Sequence, residues 1–154
     1  MPGKNNGQNS VIGGGGYHHV AIRAIDFDFT LRFYIDGLGF TRTYGWGTDD
    51  RANGGKDSRA ALLDSGDGNY LEVFAGGTGE LWPELPETVF MHIAFRTTDI
   101  HKAIEKARSL GATITVEPKS VVPPNADMPE KTFTVAFFRG PNGELVEFFQ
   151  NDEL

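Results

Sequence analysis

The sequence predicts an α+β fold built from two copies of one βαβββ unit. Three observations carry this expectation: a block beginning at His19 recurs at His92, each copy runs through the same order of strand and helix signals, and 20 glycines punctuate the chain in the manner of turns between strands. The first block, His19-Val20-Ala21-Ile22-Arg23-Ala24-Ile25-Asp26, lies on His92-Ile93-Ala94-Phe95-Arg96-Thr97-Thr98-Asp99 at a shift of 73 residues (92 − 19). His, Ala, Arg and Asp recur at the same offsets. The alternation within each block is that of a strand, and the closing Asp can cap a following helix.

The helical segments come next, Phe29 to Tyr34 in the first copy and Ala103 to Ala107 in the second. Each runs out at Leu-Gly, Leu38-Gly39 and Leu110-Gly111, where glycine supplies the left-handed residue that ends many helices. An extended segment follows in each copy (Phe40 to Trp46; Ala112 to Glu117), then a polar loop rich in Gly or Pro, then a hairpin. In the first hairpin Ala60 to Leu63 turns at Gly66-Asp67-Gly68 into Tyr70 to Phe74. In the second, Thr134 to Phe138 turns at Pro141-Asn142-Gly143 into Leu145 to Phe149. Residues 1–16 are polar and end in four glycines, too little apolar content to pack, so they read as a disordered leader. The remainder, 17–154, reads as one domain of two modules, about 17–78 and 87–150.

At 154 residues the chain is long enough to bury a core without staples. Its 14 basic and 21 acidic residues give a net charge of −7, which repels nucleic-acid backbones and anionic membranes and leaves a small molecule as the expected partner. With no cysteine there is no disulfide, thiolate catalysis or sulfur ligation, so a metal would be held by nitrogen and oxygen. No signal-type apolar segment or bilayer-length apolar run is present, and a cytoplasmic location is the expectation.

Of the 4 histidines, His19 and His92 hold equivalent places at the start of a first strand, whereas His18 and His101 break the symmetry. Glu72 and Glu147 sit mid-way along the last strands, in Leu71-Glu72-Val73 and Val146-Glu147-Phe148, at a matching shift of 75 residues (147 − 72). If the apolar neighbours face the helices, alternation turns both glutamates to the opposite face, where a carboxylate must be exposed, paired or metal-bound. A single strand histidine or glutamate is more often a hydrogen-bonded or solvated residue than a ligand. Two of each, related by one internal symmetry, point to a divalent metal held by His19, Glu72, His92 and Glu147. His18, whose side chain should point away from its neighbour's, reads as structural.

These residues resemble the vicinal oxygen chelate superfamily, which includes glyoxalase I, methylmalonyl-CoA epimerase, extradiol dioxygenases, and fosfomycin and bleomycin resistance proteins. The resemblance runs from Tyr17 to Gln150. It rests on His18-His19-Val20-Ala21-Ile22-Arg23, Leu31-Arg32-Phe33-Tyr34, Gly37-Leu38-Gly39-Phe40, Met91-His92-Ile93-Ala94-Phe95, and Phe138-Arg139-Gly140-Pro141-Asn142-Gly143-Glu144-Leu145-Val146-Glu147. It implies an open eight-stranded, U-shaped sheet around a metal, and commonly a homodimer. Glu72 in the fourth ligand position matches the His-Glu-His-Glu set of bacterial-type glyoxalase I, where the epimerases carry Gln. Arg23 matches an arginine that binds the glutathione carboxylate. Gly76 stands where an asparagine would contact glutathione, and Pro83 to Val89 lacks a second arginine; both depart from a glutathione site.

The resemblance thus implies a metal-dependent lyase or isomerase of glyoxalase I (lactoylglutathione lyase) type. It would act through an enediolate on a small compound with vicinal oxygens, such as a thiol adduct of a reactive aldehyde. Nickel, zinc, cobalt, manganese and iron all suit the ligands, with Glu147 as base and Glu72 opposite it. The rivals are an epimerase, a ring-cleaving dioxygenase, and an antibiotic-binding resistance protein whose groove Tyr44, Trp46, Trp82 and Phe90 would line unless they are core.

Overall fold

The computed structural model describes residues 18–78, 91–122 and 132–150. The proposed leader, Trp82, Phe90 and the stretch from Pro83 to Val89 lie outside the described residues. The chain divides into two compact units between Gly79 and Glu80. The first contains β1 (His19–Arg23), α1 (Phe27–Arg32), β2 (Thr41–Trp46), β3 (Ala60–Asp64) and β4 (Tyr70–Phe74). The second contains β5 (Ile93–Arg96), α2 (Ile100–Ser109), β6 (Thr113–Val121), β7 (Phe133–Arg139) and β8 (Leu145–Gln150). Each unit is therefore one βαβββ module.

Both modules form an open four-stranded sheet of the same topology, ordered β1-β4-β3-β2 in the first and β5-β8-β7-β6 in the second. First and last strands pair parallel, and the remaining pairs are antiparallel. Asp26 and Asp99 cap the two helices as expected, their carboxylates accepting from the Phe29 and Lys102 amides at 2.8 and 3.0 Å. At the far ends Gly39 and Gly111 take positive φ of 79° and 87°, which reverses the chain toward the next strand.

Two elements differ from expectation. The first helix starts at Phe27, and beyond Arg32 it widens into a π-helical turn over Phe33–Gly37, in which Phe33, Tyr34 and Gly37 are buried. Strand β6 continues past Glu117 to Val121, through Pro118. Proline has no N–H for the ladder, and β6 tolerates it as an edge strand whose register shifts between Val116 and Lys119.

In each module the helix covers one face of its sheet. In the first, Phe27, Thr30, Phe33 and Tyr34 are buried with Ala61, Leu63, Leu71 and Val73. In the second, Ile100, Ile104 and Ala107 recur at helical spacing and are buried with Phe138, Val146 and Phe148. Fully burying an Ile or Leu side chain contributes roughly 1.5–3 kcal/mol, so within each module this face holds helix to sheet.

Candidate metal centre

With Leu71 and Val73 buried against the helix layer, alternation turns Glu72 to the opposite face of β4. There it lies across from Ala21 of β1, and His19 precedes Ala21 by two residues on the same face. Alanine leaves the space beside the carboxylate open, and His19 reaches into it, Nε2 standing 3.4 Å from Glu72 Oε2. The second module repeats this register. Glu147 lies across from Ala94, two residues after His92, and His92 Nε2 stands 3.0 Å from Glu147 Oε2.

The four expected ligands are thus brought together as two His–Glu pairs, one in each module. No group of three or more His, Cys, Asp or Glu side chains gathers at metal-holding distance among the described residues. Each pair has the geometry of half a ligand set. Two ligands roughly 2.1 Å from a metal, at neighbouring corners of an octahedron, stand about 3 Å apart, which both separations approach. An imidazole nitrogen and a carboxylate oxygen also fit the nitrogen and oxygen chemistry demanded by a chain without cysteine.

The pairs differ in environment. Glu147 is only 7% exposed, and burial pushes its carboxyl above the usual glutamate range, an effect that the neighbouring His92 opposes. The ring of His92 sits edge-on to Phe137, whose β7 position is directly opposite Glu147; centroids are 5.5 Å apart at 83°. At the matching place opposite Glu72 the first module has Leu62, so His19 has no such aromatic wall from that position. Instead its Nδ1 lies 2.9 Å from Nδ1 of His18. This corrects the expectation that the two rings point apart: β1 starts at His19, so strand alternation does not govern His18.

The face that carries Glu72 also carries Arg23 and Phe74, two residues further along their strands. The Arg23 guanidinium donates to the Ala75 carbonyl at 3.0 Å and stands 5.9 Å from the Phe74 ring centroid. Phe74 meets Trp46 edge-on at 5.9 Å, and Trp46 meets Tyr44 at 5.8 Å. Tyr44 and Trp46 are 64% and 39% exposed, so neither is core. Phe74 was not singled out from the sequence, although its place two residues after Glu72 puts it on the same face. His101 lies exposed on α2.

The glyoxalase/bleomycin resistance protein/dioxygenase superfamily model matches residues 16–148. The chain belongs to this superfamily. It is similar to the "Probable lactoylglutathione lyase" of Synechocystis sp., at 28% identity over 138 residues that cover 86% of the chain and 92% of that protein. Among solved structures, a glyoxalase family protein from Enterococcus faecalis is 26% identical with a TM-score of 0.61, covering 87% of the chain and 96% of that protein. A glyoxalase I mutant from Zea mays is 22% identical with a TM-score of 0.64, over 88% of the chain and 45% of that protein, a likeness of fold. Superfamily members have diverse functions. Among the described residues no helix is long and apolar enough to cross a membrane.

Proposed function

We propose that the chain is a divalent-metal-dependent lyase or isomerase of glyoxalase I type, with His19, Glu72, His92 and Glu147 holding one metal ion. The two pairs would meet on that ion either within a chain or across a homodimer. What supports this is the recurrence of a His–Glu pair at the same strand register in both modules, with separations of 3.4 and 3.0 Å suited to neighbouring ligand positions. A bound nickel, zinc, cobalt, manganese or iron ion would supply Lewis-acid stabilisation of negative charge on the vicinal oxygens of a small substrate.

The protein's own groups do the rest. Glu147 takes the proton from the carbon beside the substrate carbonyl and returns it to the neighbouring carbon. Its burial suits it to this, because a carboxylate stripped of water is a better base than one in solvent, and His92 at 3.0 Å holds its orientation. Glu72, on the other pair, is the second candidate for the proton-carrying role. Arg23 and the Tyr44, Trp46 and Phe74 rings beside Glu72 offer an anion contact and an apolar platform for the rest of the molecule, such as the thiol portion of an aldehyde adduct.

The exposed Tyr44–Trp46 pair also favours a second reading, in which the same face sequesters a planar antibiotic without chemistry. Elemental analysis of the purified protein, with a turnover screen against hemithioacetals and acyl-CoA epimers, separates the two. Metal-loaded protein should turn over one of these substrates, and Glu147→Gln, also metal-loaded, should fall by roughly 10²–10⁴-fold, the usual contribution of a general base. Wild-type turnover by metal-loaded Glu147→Gln would refute Glu147 as the base and leave Glu72. A protein that holds no metal and binds a planar drug in EDTA would establish sequestration.

A further inference from the structure

We propose that His18 is a positioning residue for His19: its Nδ1 accepts the proton on His19 Nδ1 and so leaves His19 Nε2 free to serve as a ligand. This rests on the metal reading above. The two Nδ1 atoms are 2.9 Å apart, and at that distance one carries a proton and the other does not, since two N–H groups would collide and two bare lone pairs would repel. A histidine that ligates through Nε2 carries its proton on Nδ1, and that N–H needs an acceptor to fix the ring's tautomer and angle. The contact found at Nδ1 of His19 is His18. With His19 as donor, His18 carries its own proton on Nε2, so both rings are neutral and no net proton is gained or lost.

The acceptor is itself held in place. The His18 ring lies against Tyr70 with centroids 5.1 Å apart, and the His18 carbonyl accepts from the Tyr70 amide at 2.8 Å, which ties it to the first residue of the strand bearing Glu72. The second module shows why the first needs this. The residue matching His18 is Met91 (91 − 18 = 73), 70% exposed and without a nitrogen to accept a proton. There the His92 ring is set by packing against Phe137, in the place that Leu62 occupies in the first module. One histidine is oriented by an aromatic wall, and the other by a hydrogen bond.

The test measures cobalt(II) affinity by absorption titration of the full chain. His18→Phe keeps a ring beside Tyr70 but removes the acceptor; His18→Asn loses the ring but returns an acceptor oxygen near the Nδ1 position. Loss of an outer-shell partner typically costs about 10–100-fold in metal affinity. His18→Phe should show that loss and His18→Asn should recover most of it. In the zinc-loaded wild type, long-range ¹⁵N–¹H spectra should find His19 protonated at Nδ1. Wild-type affinity in His18→Phe would overturn the positioning role while leaving the metal reading intact, whereas His19 protonated at Nε2 in the zinc-loaded protein would remove that atom as a ligand and overturn both. Failure of the wild type to bind cobalt(II), or unchanged binding by His19→Ala, would overturn the metal reading and this inference with it.

Discussion

Replacing Arg59 with Met keeps most of the aliphatic stem and removes one guanidinium that joins α1 to the loop leading into β3. Its Nε and Nη2 donate to Asp57 at 2.9 and 2.8 Å, its Nη1 and Nη2 to Asp28 on α1 at 2.9 and 3.2 Å, and it stands 4.7 Å from the Phe27 ring centroid. The Asp57 side chain is only 6% exposed, so its bonds fall in the class of hydrogen bonds to charged groups, about 1.5–3 kcal/mol. The Asp28 contact is open to water and contributes roughly 0–1 kcal/mol, and the cation–π contact about 0.5–1 kcal/mol. Arg51 still approaches Asp57 at 3.4 Å, which limits the loss. The expected cost is about 3 kcal/mol, read as a lower urea midpoint and a melting temperature lower by roughly 6–12 °C. Arg59 holds the Asp57 carboxyl below the usual aspartate range, so this stability is present above about pH 4 and fades as acid protonates Asp57. The wild-type and Arg59→Met curves should therefore converge on acidification. A neutral-pH loss under about 1 kcal/mol, or a difference that persists undiminished at pH 2, would refute this account of the cluster.

Glu147→Gln should make the metal-free protein more stable at pH 7. Burial raises the Glu147 pKa, so the native state holds that proton more tightly than the unfolded chain, and wild-type stability falls as pH rises through the folded value. Thermal scans in EDTA should find the variant's advantage shrinking as pH falls from 7 through the raised folded value and levelling off by about pH 4, the ordinary glutamate value, and a wild type more stable than the variant at pH 7 would contradict the reasoning. His92→Ala should abolish tight cobalt(II) binding while His101→Ala leaves it nearly unchanged, and equal effects in titration would remove His92 from the ligand set. Asp99→Ala should cost about 1 kcal/mol, with faster amide exchange at Lys102, because it removes the cap of α2.

The repeat could be read from the sequence because it is written in local patterns. Strand alternation around Glu72 and Glu147, Asp before each helix and Leu-Gly after it depend on neighbours a few residues apart, and all of them appear in the fold. The repeat makes His19 equivalent to His92 and Glu72 to Glu147, while the placing of each His beside the Glu of its own module comes from the registers Ala21–Glu72 and Ala94–Glu147. What could not be read depends on side chains meeting across the chain. The Asp28–Arg59–Asp57 cluster joins residues 31 apart, and neither carboxylate is marked as a partner by its own surroundings. The π-helical turn at Phe33–Gly37, in which Phe33 and Tyr34 are buried, continues the same helical periodicity and so leaves no separate mark in the sequence. The contact between the His18 and His19 rings is not legible because β1, and with it strand alternation, begins at His19.

The parallel pairing of first strand with last has a kinetic consequence. His19 lies opposite Tyr70 and Ile93 opposite Val146, so each module is closed by contacts between residues 51 and 53 apart (70 − 19; 146 − 93), while its hairpin forms between near neighbours. Loop closure of that length is costly before the contacts reward it, so the β3–β4 and β7–β8 hairpins should form early and β1 and β5 should dock late. The His and Glu of each pair belong to the two strands that meet last, His19 opening β1 and His92 standing just before β5. A chain emerging from synthesis therefore presents no His–Glu pair until β4, and later β8, has been made and has captured its partner. Metal capture would then act on modules already closed, and a partly folded chain would offer single histidines that bind weakly and release.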